Sequence, residues 1–195
     1  MIKLPPQHPD WAEDAMLDRS KPPYGIINTF SNIVYPAIGA YAWVVDGAWL
    51  FGLCMIWLGI GSGAYHCWKS HWGEAMDDSG MWTVFGLFLA GVQGVIFGFI
   101  FGFVNWLPKF QRRTISHRAI IKICAAILLL QIGLVAWKAA LWFAAGYIFW
   151  EGGKRRIDFD GNVDEFTPRW YSRWCHGAWH LLTAVGFYVL LGVVS

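Results

Sequence analysis

Residues 49–68 read WLFGLCMIWLGIGSGAYHCW, an unbroken run without an aspartate, glutamate, lysine or arginine. An α-helix that crosses a bilayer needs about 20 mostly apolar residues, and this run has that length. Its last turns change character, because Ser62 and His66 bring polar side chains into an otherwise apolar segment. The run therefore predicts a transmembrane helix that carries a hydroxyl and an imidazole at one end.

The composition of the whole chain indicates that this run is not isolated. The chain has 195 residues, of which 56% are hydrophobic and only 14% charged, against roughly 25% charged in a soluble domain. So much apolar surface needs lipid to cover it, which predicts an all-α, polytopic transmembrane helix bundle. We expect a polar N-terminal segment at residues 1–25 and a single transmembrane domain at residues 26–195. The sequence has no basic stripe, so it gives no support to a nucleic-acid partner.

Four further stretches are long and apolar enough to cross a membrane. In chain order, with the first run in its place, the predicted spans are Ile26–Val45, Trp49–Trp68, Ala75–Leu107, Arg118–Trp150 and Tyr171–Val194. Counting each stretch as one helix predicts five spans. Seven spans are the alternative, which applies if the two longest stretches are each divided in two.

The third stretch contains small residues at a nearly regular spacing. They are Gly86, Gly91, Gly94, Gly98 and Gly102. Small residues four apart line one helix face and indicate close packing against another helix. A phosphate-binding loop would also need a lysine and a serine or threonine at fixed positions, which this stretch lacks.

The charges between the spans predict an orientation. With five spans, the compact basic cluster in the loop Lys109–Lys122 faces the side opposite to His66. Cytoplasmic loops of membrane proteins carry an excess of lysine and arginine, so this rule places the loop in the cytoplasm. A bacterial inner membrane and an internal membrane of a eukaryotic cell are both compatible with this orientation.

The last predicted span begins close to the sequence HGAWH, residues 176–180. Histidines four positions apart share one helix face, with roughly 5–6 Å between their Cβ atoms, and such a pair can hold one metal ion. Ionisable side chains are costly at membrane depth, which favours a functional role for His176 and His180. For the pair alone, hydrogen bonds that bridge neighbouring helices are an equally good explanation.

Three more groups alter that balance, because the five-span arrangement places them at the same depth as the histidine pair. They are Ser62, His66 and Asp77. Three neutral imidazoles with one open position form a catalytic type of zinc site, in which a water is activated. Asp77 would act as a general base and then as an acid toward the leaving group, while Ser62 would donate a hydrogen bond to the developing oxyanion. This set suits hydrolysis of an amide or ester, and the bilayer would supply a lipid substrate.

The same residues carry a family resemblance. The pattern Gly61-Ser62-x-x-Tyr65-His66, then Asp77, then His176-x-x-Trp179-His180, together with Asn28-Thr29-x-Ser31-Asn32, resembles the alkaline ceramidases, whose wider membrane-hydrolase superfamily includes the adiponectin receptors. The resemblance implies that His66, His176 and His180 bind zinc and that Ser62 and Asp77 complete the active site. It also implies the activity, which is cleavage of the ceramide amide to a long-chain base and a fatty acid.

One departure from the family pattern concerns length. Alkaline ceramidases typically have seven spans, and the five-span count makes this chain short for that architecture. The missing length falls between Leu107 and Trp170, a region that helps to shape the lipid pocket in the family. The resemblance therefore leaves the identity of the lipid open.

A second departure concerns calcium. The N-terminal stretch with Asp10, Glu13 and Asp14 resembles part of the calcium-binding segment of the animal enzymes. Ala15 and Gly25, however, stand where that family has an asparagine and a glutamate. Calcium takes about six or more oxygen ligands, so a solvated acidic stretch is the favoured interpretation over a calcium site.

Three alternatives remain open from the sequence. Asp78 could take the role of Asp77, although neighbouring helix residues point about 100° apart and only one can face the zinc. The chain could be a ceramidase-like, non-catalytic subunit of a larger membrane complex, with zinc kept as a structural staple. Histidines in a membrane can also ligate a haem or a chlorophyll, although a serine and a carboxylate at the same depth favour hydrolysis.

Overall fold

The computed structural model describes residues 26–68, 71–106, 136–153 and 169–194, and nearly all of them are helical. Within these ranges the helices are α1 (Ile26–Ser31), α2 (Val34–Asp46), α3 (Trp49–Trp68), α4 (His71–Trp106), α5 (Trp137–Gly153) and α6 (Arg169–Val194). The described ranges contain no β-strand, so the predicted all-α helix bundle is confirmed. α3 has the bounds that its sequence predicts, and α6 begins one half-turn earlier than expected.

The outer surface of the bundle is apolar, as a lipid environment requires. Among the described residues, three stretches are long and apolar enough to cross a membrane, namely Trp49–Trp68, Trp72–Phe103 and Trp174–Val193. Large apolar side chains project outward from several helices, with exposed fractions of 82% for Val44 and 70% for Ile148. Water would solvate such a surface poorly, since exposed apolar area costs about 25 cal/mol per Å². These features are those of an integral membrane protein.

α1 and α2 are two pieces of the predicted first span, and a proline explains the break between them. Pro36 has no amide hydrogen to donate to the carbonyl of Asn32, and its ring would crowd that carbonyl in a continuous helix. The chain turns at Asn32 and Ile33 instead, and Tyr35 N donates to Asn32 O at 3.2 Å. This turn leaves the Asn32 side chain in the interior, where it is 1% exposed.

α4 occupies the stretch that the sequence predicts as a single third span, but the helix doubles back on itself. It leaves helical geometry at Ala90 and Gly91, and Gly91 adopts a left-handed φ of 58°, which glycine reaches without steric cost. Beyond the reversal, three backbone contacts join the two halves: Gly94 with Gly86, Gly98 with Trp82, and Gly102 with Ser79. A straight helix would hold the last of these pairs roughly 35 Å apart, at about 1.5 Å per residue.

α4 is therefore a hairpin of two antiparallel arms, residues 71–89 and residues 92–106. Glycines line the contact between the arms, and a Cβ at Gly86 or Gly94 would overlap the opposite backbone. Such close approach lets two helices associate through backbone contacts, as small residues do in membrane proteins. The single-span interpretation of this stretch is thus corrected, and the alternative in which it is divided in two holds.

The next predicted span, Arg118–Trp150, is not one continuous helix either. Ala136 lies outside any helix, and its carbonyl accepts the first hydrogen bond of α5, from Ala140 N at 3.2 Å. α5 thus begins at Trp137. Residues 118–135 lie outside the described part of the chain.

The helices run between two ends of the bundle. At one end, which we call the histidine end, α3 carries His66 in its last turn and α6 carries His176 and His180 in its first half. At the other, which we call the turn end, the Tyr188 hydroxyl donates to the carboxylate of Asp46 at 3.0 Å. Buried apolar side chains of α2, α3, α4 and α6 fill the space between the ends, including Ala42, Met55, Leu58, Val84 and Phe187.

The hairpin also affects the predicted orientation. Its second arm returns toward the histidine end, because Gly102 lies beside Ser79, close to the start of the first arm. The prediction that the basic loop Lys109–Lys122 is cytoplasmic depended on a single crossing by this stretch, so that support is removed. The loop itself lies outside the described residues, as does the segment 1–25 with its acidic side chains Asp10, Glu13 and Asp14.

Candidate metal centre

Three histidines from two helices meet in the interior at the histidine end. His66, His176 and His180 are 2%, 6% and 3% exposed, respectively. Their rings meet edge to face, with centroid distances of 4.7 Å for His66 and His176, 5.4 Å for His66 and His180, and 4.6 Å for the α6 pair. One nitrogen from each ring lies within 4.8 Å of the other two. The cluster can hold a metal ion, because imidazole nitrogens are common metal ligands and these three are already grouped.

Helix geometry and close packing bring the three rings together. His176 and His180 are four residues apart on α6 and share one face. α3 and the first arm of α4 approach closely at Gly61, where a Cβ would come within 2.6 Å of the opposite backbone. α1 approaches α6 at Gly177, where a Cβ would lie 3.5 Å from Ser31 Cβ. The residues that bring the helices this close are therefore neighbours of the site in the sequence.

The other two predicted site residues lie near the histidines. Ser62 is one turn before His66 on α3 and is 3% exposed. Asp77 is on the first arm of α4, where its backbone packs closely on α3 and its side chain is half-buried. Gly61, against which the Asp77 backbone packs, directly precedes Ser62 in α3. The structure thus groups a serine and a carboxylate with the histidines at one end of the bundle.

Two contacts on His180 were not predicted from the sequence. Ser31 Oγ lies 2.8 Å from His180 Nδ1, so α1 reaches the centre directly. Tyr35, on α2, packs its ring edge-on against His180 and hydrogen-bonds through its hydroxyl to Thr183 Oγ1 at 2.7 Å. Two sequence signals point to this region: Ser31 belongs to the motif Asn28-Thr29-x-Ser31-Asn32, and Asn28, Asn32 and Tyr35 form a polar set at helical spacing that proves to be buried.

Polar groups of α1 and of the turn after it form another wall beside the histidine cluster. Asn32 Oδ1 and Thr29 Oγ1 are buried and have no hydrogen-bond partner among the described residues. Both residues face Gly63 of α3, whose Cβ would lie 3.9 Å from Asn32 Cβ and from Thr29 O. An unsatisfied buried polar atom costs about 1–3 kcal/mol, so this wall is suited to a polar ligand or to water.

Fold and geometry together define a helix bundle of membrane type with a buried three-histidine centre. Comparisons of the chain with protein-family models, with curated proteins and with solved structures return no match. The resemblance to the alkaline ceramidases therefore rests on the motif residues themselves. Three grouped imidazoles suit several transition metals, and zinc is one of them.

Proposed function

We propose that the chain is a zinc-dependent integral-membrane hydrolase that cleaves an amide bond in a lipid, as the alkaline ceramidases do in ceramide. The observation that carries the proposal is the group of three buried histidine nitrogens within 4.8 Å, beside a buried serine and a half-buried aspartate. Catalytic zinc sites typically use three protein ligands and keep a fourth position open, whereas structural sites use four. Among the described residues, the group at the histidine end that could hold a metal ion consists of three ligands, the three histidines.

Each residue of the centre has a chemical role in this proposal. Zinc, when bound, lowers the pKa of water to about 7 and polarises a carbonyl group. His66, His176 and His180 would hold the ion among apolar helices that exclude bulk water. The Asp77 carboxylate accepts a proton from the attacking water and returns it to the amide nitrogen, which can then leave as an amine. The Ser62 hydroxyl donates a hydrogen bond to the carbonyl oxygen as negative charge develops there.

A lipid is the substrate class that the surroundings favour. The centre lies at one end of a bundle with an apolar outer surface, so acyl chains can stay in the bilayer while the amide enters the polar layer. Asn32 Oδ1 offers an acceptor, and Thr29 Oγ1 a hydroxyl, to polar groups of the lipid. Ceramide has both hydroxyl and amide groups that match them.

Metal analysis and lipid hydrolysis on the purified protein in detergent test the proposal. We expect about one zinc ion per chain, as three ligands to one ion require, and release of a long-chain base from ceramide. His180→Ala should lose both properties, because two imidazoles bind the ion far more weakly than three. His117→Ala is the control, since His117 has no place in the motif, and it should retain both.

The outcomes of this experiment separate the proposal from its alternatives. Bound zinc without hydrolysis of any lipid amide would favour a non-catalytic subunit of a larger membrane complex. A visible absorption band from a haem or a chlorophyll would replace the zinc assignment. Undiminished hydrolysis after His180→Ala, in a protein that contains no metal, would refute the proposed chemistry.

A further inference from the structure

The hydrogen bonds of Ser31 indicate which ring nitrogen of His180 carries the proton. Ser31 Oγ has two partners, the main-chain carbonyl of Asn28 at 3.1 Å and His180 Nδ1 at 2.8 Å. A hydroxyl has one proton to donate, and a carbonyl oxygen can only accept. Both contacts are hydrogen bonds only when Ser31 donates to Asn28 O, a common local bond of a helical serine to the preceding turn; the same carbonyl also accepts from Asn32 Nδ2 at 2.6 Å.

The bond between Ser31 and His180 must then run in the other direction. With its proton given to Asn28, Ser31 Oγ presents lone pairs to the imidazole, so Nδ1 of His180 is the donor. A neutral imidazole with its proton on Nδ1 carries its ligand lone pair on Nε2. Histidines that bind metals are commonly oriented in this way, by a hydrogen bond from the nitrogen that does not touch the metal.

We propose that Ser31 is a positioning residue, which fixes His180 as the Nδ1–H tautomer and leaves Nε2 to bind the ion shared with His66 and His176. The role toward the ion rests on the proposed function of this centre. The tautomer itself follows from hydrogen bonds within the chain and needs no ion.

A second polar contact restrains the same ring. Thr183 Oγ1 donates to Trp179 O at 2.7 Å, so the 2.7 Å bond between Thr183 and Tyr35 is donated by the Tyr35 hydroxyl. This bond holds the Tyr35 ring edge-on to His180, with 5.9 Å between the centroids. His180 is thus held by α1 through Ser31 and by α2 through Tyr35, and such support preorganises a metal ligand.

Close packing of α1 on α6 makes the Ser31 contact attainable. Gly177 lies between the two histidines of α6 and faces α1. A Cβ at this position would lie 3.3 Å from Ile27 Cγ2 and 3.6 Å from Ser31 Oγ. The absence of a side chain at position 177 therefore lets α1 come near enough for Ser31 to reach His180.

Nitrogen NMR of the metal-free protein, with ¹⁵N-labelled histidine side chains, tests the tautomer directly. We expect the His180 signals, assigned by their loss in His180→Gln, to show the Nδ1–H form. Ser31→Ala should populate the Nε2–H form. Wild-type His180 in the Nε2–H form would overturn the inference. Neither metal nor lipid takes part, so this result is independent of the hydrolase proposal.

The affinity for Zn²⁺, measured by competition with a chromophoric chelator, tests the consequence. We expect Ser31→Ala to bind Zn²⁺ about 10–100-fold more weakly, which is the typical effect of losing an orienting partner of a metal ligand. Ser31→Thr keeps the hydroxyl and should retain an affinity close to that of the wild type. Unchanged affinity in Ser31→Ala, or an equal loss in Ser31→Thr, would overturn the positioning role.

Thr83→Ala is the matched control for lost buried hydroxyls. Thr83, on α4, donates a bond of the same local kind to the carbonyl of Ser79 at 2.5 Å and is not part of the histidine cluster. The Thr83→Ala variant should bind Zn²⁺ as the wild type does.

If Ser31→Ala fails to fold, the wild-type tautomer and the affinity of Ser31→Thr decide the question. A hydrolase with the Nε2–H tautomer would refute this inference alone, and an inactive protein with the Nδ1–H tautomer would refute the proposed function alone.

Discussion

Asp77 and Asp78 are adjacent in sequence, yet helix geometry gives the two carboxylates different surroundings. Successive helix residues point about 100° apart. The Asp77 backbone packs against Gly61 of α3, the residue that precedes Ser62. The choice of Asp77 rather than Asp78 for proton transfer rests on the family resemblance and stays a prediction.

Replacing one carboxylate at a time tests this choice. We expect Asp77→Asn to lower kcat for lipid-amide hydrolysis by about 10²–10⁴-fold, the usual contribution of a general acid–base group. Zinc content should stay unchanged, because Asp77 is not among the three grouped ligands. Asp78→Asn removes the same charge one residue away and should keep most of the activity. Equal losses of kcat in the two variants would show that the carboxylates act only through their charge.

The grouping of the three histidines could be predicted from the sequence, whereas the residues that support them could not. His176 and His180 stand out because a spacing of four residues and the cost of burying polar groups in a membrane both point to them. The bond from His180 to Ser31 joins residues 149 positions apart. No local pattern encodes such a contact, since it depends on how α1 packs against α6.

At the scale of elements, the reversal inside α4 is the feature that the sequence conceals. The residues on both sides of Ala90 are apolar, because lipid-facing and buried positions in a membrane favour the same side chains. Four of the five regular glycines do line a close helix contact, as expected, and the exception is Gly91. Their partner, however, is the other half of the same stretch, and the chain turns at Ala90 and Gly91, where the backbone leaves helical geometry.

Two glycines of α3 form a matched pair for testing the contact between α3 and α4. A Cβ at Gly61 would lie 2.6 Å from the Met76 backbone, whereas a Cβ at Gly63 meets nothing nearer than 3.9 Å. We expect Gly61→Ala to destabilise the protein by about 1–3 kcal/mol, the usual cost of overpacking. Hydrolysis should also fall, because Asp77 follows Met76 and moves with it.

Gly63→Ala should be neutral or stabilising, since alanine in a helix interior is favoured over glycine by about 1 kcal/mol. Thermal unfolding in detergent, followed by circular dichroism, measures both effects, and activity is assayed on the same samples. Equal stability of the two variants would show that α3 and the first arm of α4 are not in backbone contact at Gly61.

At the scale of the whole molecule, the histidine centre links helices that are distant in sequence. An ion that binds only the folded state stabilises it by about 2.7 kcal/mol at a concentration of 100 Kd. We therefore expect a strong chelator to lower the Tm of the wild-type protein. His180→Ala should show a low Tm that the chelator does not change, and a chelator effect of equal size in this variant would place the ion elsewhere.

The class of the molecule could be predicted from composition, but not the path of the chain. The described helices pass between the two ends of the bundle. They are α1 together with α2 as one passage, then α3, the two arms of α4, α5 and α6. α5 runs toward the histidine end, since Ala136 packs against Leu190 at its start and Trp150 lies 5.9 Å from Trp179 near its finish. The apolar content of the sequence predicts that helices cross a membrane. The points at which the chain reverses depend on contacts between backbones.

Alanine substitutions at two glycines distinguish the hairpin from a straight α4. In the hairpin, a Cβ at Gly94 would overlap the backbone of Gly86 on the opposite arm. In a straight helix, residues 86 and 94 would be roughly 12 Å apart, so the same Cβ would not meet Gly86. A Cβ at Gly192 of α6 meets nothing within 4 Å, which makes this glycine the matched control.

We expect Gly94→Ala to destabilise the protein by about 1–3 kcal/mol, the usual cost of overpacking, because the two arms have to move apart. Gly192→Ala should be neutral or stabilising, since alanine in a helix interior is favoured over glycine by about 1 kcal/mol. Thermal unfolding of both variants in detergent, followed by circular dichroism, measures the difference. Equal stability of the two variants would mean that the arms of α4 are not in backbone contact at Gly94. The second arm could then not lie beside the first, and the packing of the Trp57 ring of α3 near Phe99 and Phe103 would also be contradicted.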